Sequence, residues 1–384
     1  DIVSERSTMV QKIDRKVINI GKDLIASGNT ASEIMNNIPI VSIDPQTKEI
    51  SLRGNTNVRI LIDGKPSNID ATQLLQQIPS SSIKQIELIT NPSAKYNPEG
   101  MSGIINVILH KNANEGFNGS LNSGVTFSKT PKVNTALNLN YKVGKVNLYA
   151  NYGLNHGKNA NHGDITSFRP NLENEQRFEF SNLNTSHLVK VGIDYLANDN
   201  NTFSFYTNLN LNYGGGNGNT LINYFDPSNS DSQQLFDSKS DNTTQTYNFV
   251  YKHNFKKAGE NIEFQADYSK TTNPENTDYD YTTSSPVSQR LTNNDIERDI
   301  DYLQLNLDYV NPITETLKLE LGAESRIQKI TNEFLETVDE TTGTYNRTGN
   351  SDFVFKRNIH SVYSNIGKQW KKWSAQIGVR LEHF

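Results

Sequence analysis

From Phe117 to the last residue, apolar and polar residues alternate with a period of two along segment after segment. Val133, Thr135, Leu137, Leu139, Tyr141 and Val143 share one parity; Lys132, Asn134, Asn138, Asn140 and Lys142 share the other. Phe203, Phe205, Leu209, Leu211 and Tyr213 repeat the pattern against Thr202, Ser204, Asn208, Asn210 and Asn212. Tyr247, Phe249, Tyr251 and Phe255 do so against Thr246, Asn248, Lys252 and Asn254. Successive side chains of a strand point to opposite faces, so this period builds sheets with one greasy face and one wet face. The chain is only 34% hydrophobic and has no run of about 18 apolar residues that could cross a membrane as a helix. A barrel needs none, because a wet lumen face halves the apolar content of each strand.

The connectors carry the topology. Tight links fall at Gly144-Lys145, Asn198 to Asn201, Lys256 to Glu260, Asn311 to Glu315 and Lys368 to Lys372. Long ones run from His156 to Ser186, Gly214 to Thr244, Thr271 to Asp299 and Lys329 to Phe353. Ser128 to Lys132 is short yet belongs to the long-loop side. Short periplasmic turns and long extracellular loops are the asymmetry expected of bacterial outer-membrane barrels, whose closure pairs every backbone group in lipid. The chain has no cysteine, hence neither a disulfide frame nor a thiol metal site. A net charge of −5 argues against nucleic acid as a partner. The chain starts at Asp1, as expected of a processed protein or a piece of a longer one.

Residues 1–114 read as a different object, a small mixed α/β domain, with residues 115–384 as the N-terminal part of a barrel. Thr30 and Glu33 form a capping-box pattern for a short helix through Asn37, and Ala71 to Gln77 suits another. Glu49 to Arg53, Val58 to Ile62 and Ile83 to Ile89 read as strands, with a turn at Asp63-Gly64-Lys65-Pro66. Gly103 to Leu109 is nearly all apolar, fit for a covered sheet. The blocks SLRGN (51–55), VRILIDGKP (58–66), Ile78-Pro79, IKQIELITNPSAKY (83–96), Glu99-Gly100 and GIINV (103–107) follow one another in order. Together they resemble the plug domain of TonB-dependent outer-membrane receptors. More narrowly, they resemble the outer-membrane β-barrel subfamily with a carboxypeptidase-regulatory-like N-terminal extension.

That resemblance implies a globular plug inside a 22-stranded transmembrane β-barrel. Ligand would bind to the plug apex and extracellular loops, and the TonB–ExbB–ExbD complex of the inner membrane would rearrange the plug. The implied activity is active import of an iron chelate, cobalamin, an oligosaccharide or a peptide across the outer membrane of a Gram-negative cell, with outer-membrane lipid and a surface lipoprotein as further partners. It implies neither an enzyme nor a cofactor. Ligand sensing without transport and a structural or adhesive barrel are the alternative readings.

Eleven strand candidates lie near Phe117, Val133, Lys145, His187, Thr202, Gln245, Ile262, Asp301, Thr316, Phe355 and Trp373, half of the family's 22. Phe384 is out of register with the apolar positions Ile377, Val379 and Leu381, so the expectation is a truncation within strand eleven. No TonB box is recognisable before Asp14.

Arg53 matches the plug arginine that in the family pairs with barrel-wall carboxylates. Glu263, Asp267 and Glu320 are the partners expected for this latch, with Asp308 and Glu324 on the same lumen parity. A latch broken in transport and a static structural pair both fit. His156, His162 and Asp164 lie together in an expected long loop and offer metal ligands, or simply solvated imidazoles. Phe168, Tyr224, Phe225, Tyr279 and Tyr281 are loop aromatics, fit to stack on a ligand or to pack the loops. Tyr149, Trp370 and Trp373, near short turns, suit an interfacial girdle. No catalytic constellation is present.

Overall fold

The computed structural model describes residues 8–11, 15–20, 31–38, 40–44, 49–62, 64–66, 75, 78, 83–90, 92–96, 103–109, 115–127, 130–169, 173–339, 346–371 and 373–384. The N-terminal body contains β1 (Thr8–Gln11), β2 (Arg15–Asn19), α1 (Ala31–Met35), β3 (Val41–Ile43), β4 (Ile50–Leu52), β5 (Val58–Ile62), β6 (Lys65–Pro66), β7 (Ile83–Ile89) and β8 (Gly103–Leu109). Six strands form one sheet in the order β1-β2-β7-β8-β5-β6, in which only β5 and β8 pair parallel. β3 and β4 form a separate hairpin. Ile83, Ile86, Leu88, Ile89, Ile104, Ile105 and Val107 are wholly buried, which explains the near-continuous apolar run of β8. Ala31, Ile34 and Met35 press α1 onto that core. Within it, Glu87 accepts from Arg15 Nη1 at 2.8 Å and Asn106 Nδ2 at 2.9 Å. Thr30, the Glu33 side chain, Asp63 and the Ala71–Gln77 helix, Leu75 excepted, lie outside the described residues.

All eleven expected barrel strands are present. They are β9 (Gly116–Thr126), β10 (Lys132–Val143), β11 (Val146–Ser167), β12 (Asn174–Asn198), β13 (Asn201–Tyr224), β14 (Ser232–Asn254), β15 (Asn261–Ser284), β16 (Val287–Pro312), β17 (Leu317–Asp339), β18 (Asn346–Gln369) and β19 (Ser374–His383). Each pairs antiparallel with the next, in one sheet whose edges, β9 and β19, are not joined to each other. Burial is inverted relative to a soluble sheet. Leu307, Val362, Ile366, Ile377, Val379 and Leu381 are exposed, whereas Asn210, Asn248, Asp267, Ser269, Gln304, Ser361 and Asn365 are buried. Apolar outside and polar inside is the arrangement lipid demands.

The expected long loops are a correction. β11 to β18 run for 22 to 26 residues each, so His156–Ser186, Gly214–Thr244, Thr271–Asp299 and Lys329–Phe353 are mostly ladder. The connections at that end shrink to 168–173, 225–231, 285–286 and 340–345. Such strands reach roughly 75–85 Å, far more than an apolar band about 25 Å tall needs. Beyond the band both faces meet water. The ladder continues on backbone hydrogen bonds while the apolar alternation that marks a strand disappears. Near the short turns Phe203 stacks on Tyr251 at 4.8 Å and Lys368 Nζ lies 5.3 Å from the Trp370 ring, an interfacial belt. Tyr149 is not in that belt. Its ring lies over Gly192 opposite on β12, with Lys190 Nζ 5.7 Å from its centre.

Candidate functional site

The body meets the wall at Ser93–Tyr96, the residues just after the β7 turn. Lys95 Nζ donates to Asp308 Oδ2 on β16 at 2.8 Å. Ala94 N donates to Asn365 Oδ1 on β18 at 3.2 Å. Arg380 Nη1 on β19 donates to the Lys95 carbonyl at 3.2 Å and reaches the Ala94 carbonyl at 3.5 Å. Asp308, Gly322 and Tyr363 occupy one cross-strand row. The Tyr363 ring lies across Gly322, where a Cβ would overlap it, and its hydroxyl donates to Asp308. A second close approach is Gly378, whose missing Cβ would stand 2.9 Å from Ala94 Cβ.

Burial alone would push the Lys95 ammonium down. Asp308, through charge and hydrogen bond, outweighs it and holds the ammonium above its ordinary value. The Lys95 side chain keeps 41% exposure against 15% for Asp308, so desolvation is partial. Behind this contact stands a buried quartet. Arg380 pairs with Glu324 at 2.6 Å and Glu382 at 2.7 Å. Arg326 pairs with the same two oxygens at 3.0 and 3.3 Å. These side chains are 5–12% exposed, a burial that charges tolerate only when mutually paired.

Arg53 takes no part in this contact. It sits in the Leu52–Asn55 turn at φ +56°, exposed, and forms no ion pair with the expected carboxylates. Glu263 pairs with Lys252 and Glu320 with Lys318, both on the wall. Asp267 is buried and accepts from Asn248 and Gln265. Among the described residues, the plug cation that pairs with a wall carboxylate is Lys95, and its acceptor Asp308 has the expected lumen parity.

His156, His162 and Asp164 share a face of β11, in the ladder and not in a loop. His156 bonds Thr185 Oγ1 at 2.8 Å, and Asp164 pairs with Arg177 at 2.9 Å. Residues 156 and 162 are about 20 Å apart along an extended strand, too far for one ion. Among the described residues no three side chains are gathered to hold a metal. Tyr279 and Tyr281 are likewise ladder residues of β15, stacked on each other at 5.8 Å. Tyr224 ends β13, and only Phe168 and Phe225 lie in hairpin tips.

Above the contact is a cavity of about 210 Å³ between β5 and the wall. Arg59 lines it from the body; Ser269, Thr271, Ile300, Tyr302, Arg326, Gln328, Arg357 and Ile359 line it from β15 to β18. Counting residues from the short turns places Asp308 roughly 12 Å and this cavity roughly 28 Å up a tilted wall. Sequence reasoning missed Lys95, Arg59, Arg380 and Glu382. The usable signal was parity: with Ile377, Val379 and Leu381 outside, Arg380 and Glu382 must face the lumen.

A small α/β body pinned to the wet face of a lipid-facing antiparallel wall defines a plugged outer-membrane receptor. The chain matches the TonB-dependent Receptor Plug Domain over residues 9–104 and the Outer membrane protein beta-barrel family over residues 253–384. It therefore belongs to the TonB-dependent receptors, integral proteins of the outer membrane that are not enzymes. Its fold is similar to the ferric yersiniabactin uptake receptor FyuA from Yersinia pestis: 13% identity, 98% of this chain, 64% of that one and a TM-score of 0.50. The ferric enterobactin receptor PfeA from Pseudomonas aeruginosa matches at 11% identity over 94% of this chain and 73% of its own, TM-score 0.42. The chain thus spans 64% of the length of the first of these receptors and 73% of the second.

Proposed function

We propose that this chain is the plug and adjoining wall of an importer. It would take up a scarce nutrient (an iron chelate, cobalamin, an oligosaccharide or a peptide) with energy delivered by TonB–ExbB–ExbD. Residues 1–114 act as the plug and 115–384 as part of the barrel. The observation that carries the reading is the Ser93–Tyr96 contact. Among the described residues, the plug is held to the lumen wall by a partly exposed ion pair and a few hydrogen bonds. Such a contact can be broken and remade, as a moving plug requires. Ligand must favour one plug state over the other, because only differential affinity shifts such an equilibrium.

The test is a lock. The chain has no cysteine, and a Cβ built on Gly378 would stand 2.9 Å from Ala94 Cβ, inside the roughly 3.5–4.5 Å that a disulfide spans, so a bridge forms once the two backbones part by about an ångström. Ala94→Cys with Gly378→Cys in the full-length receptor abolishes uptake of the growth-limiting nutrient when oxidised and regains it on reduction. Undiminished uptake by the oxidised protein would sink the moving-plug account and favour a permanently seated plug.

A further inference from the structure

We propose that the outer face of β15–β19 holds a lipid of the outer leaflet at a defined site, one that joins acyl chains to an anionic phosphate head. The proposal rests on the outer-membrane location of the chain and not on the import reading. A groove of about 520 Å³ opens on that face, within the roughly 300–1,000 Å³ of small-molecule sites. Register builds it. Leu307, Ala323, Val362 and Leu381 stand opposite one another in one cross-strand row. Leu305, Ser325, His360 and His383 form the next row on the same face. The small side chains of Ala323 and Ser325 leave a trough between the larger ones of β16 and β18. A trough surrounds an acyl chain on three sides and gains more dispersion contacts than a flat wall does.

The upper end of the trough is polar. Ser325 Oγ bonds His360 Nδ1 at 3.0 Å, which orients the ring and leaves Nε2 for a ligand. Up the outer face from the short turns, the first charged or imidazole side chain above the apolar run is Lys270 on β15, Asp301 on β16, Lys329 on β17, His360 on β18 and His383 on β19. Lys270, Asp301, Lys329 and Lys356 share one row. The three lysines are exposed and enter no ion pair among the described residues. Asp301 accepts from the Tyr268 hydroxyl at 3.0 Å. One carboxylate against three ammonium groups leaves the row positive. Higher on the same face the sign reverses, with Glu297, Glu333 and Asp352 opposite one another. A phosphate is therefore attracted at one level, where the apolar face ends, and repelled above it. That is the level of lipid headgroups. Lys329 stands roughly 13 Å above Ser325 along β17, and a lysine stem bends back over apolar surface to bring its ammonium to the interface. The ammonium groups then donate to the phosphate oxygens while an acyl chain runs down the trough.

Full-length receptor in a neutral detergent is titrated with dioleoyl phosphatidylglycerol, and bound lipid is counted by native mass spectrometry. One site fills at a lower lipid concentration than the rest of the surface. Lys329→Gln with Lys356→Gln weakens that site about tenfold or more, the effect of two interfacial lysines. Ala323→Leu, which fills the trough and leaves the charge unchanged, weakens it as well. Arg177→Gln, at a distant hairpin cation, binds as wild type. Dioleoylglycerol, which lacks the phosphate, binds about tenfold more weakly or worse, and inorganic phosphate does not compete. Circular dichroism establishes that each variant is folded. No preferred site in wild type, equal affinity for dioleoylglycerol, or an unaltered site in either the folded lysine variant or folded Ala323→Leu would each overturn the proposal. Competition by inorganic phosphate at matched concentration would assign the cations to free anions and overturn the lipid as occupant. Uptake enters none of these readouts, so failure of the lipid site and failure of import are read separately.

Discussion

At the residue scale the plug contact turns on a missing side chain and a charge. Gly322 lets Tyr363 lie across its row and reach Asp308, the carboxylate that holds Lys95. Gly322→Val forces the ring away and costs about 1–3 kcal/mol by overpacking. Protease cleavage of the plug in intact full-length receptor should rise with it; an unchanged cleavage rate would remove Tyr363 from the contact. The lysine makes a pH prediction. Its folded value is raised above 10.5, so its pair with Asp308 stabilises fully below the unfolded value and is lost as pH rises through the folded one. Plug anchoring, read by urea-induced release, therefore keeps this contribution unchanged from pH 7 to 9 and loses it above about 10.5, the ordinary lysine value. Lys95→Arg extends the plateau. A loss between pH 7 and 9 that Lys95→Arg abolishes would contradict the assignment.

At the element scale, apolar alternation and true strand length are separate quantities. The period of two located all eleven strands, because lipid imposes an apolar face on each crossing. It stopped short where the strands rise into water. There Tyr279 and Tyr281, His156 and His162 pair across hairpins with no pattern to announce it. The plug–wall partners were illegible for a different reason. Lys95 and Asp308 are separated by 213 residues, and neither local spacing nor parity says which plug cation meets which row. The same division predicts stability. Leu307 is exposed on the outer face, near mid-height of the apolar band. Leu307→Arg should cost about 2–4 kcal/mol in lipid, whereas Leu235→Arg, exposed on the same outer face well above the band, should cost about 0–1. Urea unfolding of the full-length receptor in vesicles measures both, and equal costs would show that the band extends up the hairpins.

At the scale of the whole molecule, the wall is a sheet with two free edges. β9 offers one side of 11 residues and β19 one side of 10, each with unpaired N–H and C=O groups on that side. In water such groups are solvated, but beside an apolar face they direct pairing with any strand at hand. Phe117, Leu121 and Val125 on β9 and Ile377, Val379 and Leu381 on β19 are exposed beside those edges, so both ends are sticky by side chain as well as by backbone. The plug does not cure this, since its described ties go to the lumen face of β16, β18 and β19. The 384-residue chain refolded by itself in detergent should therefore associate edge to edge, its mass by light scattering rising with concentration. Val379→Pro, which removes a backbone donor from β19, and a lysine at Ile377 should reduce that association; the receptor in which further strands cover both edges should show none. A 384-residue chain that stays monomeric at every concentration would mean that β9 and β19 close on each other in solution, and the open sheet would have to give way to a small barrel around the plug.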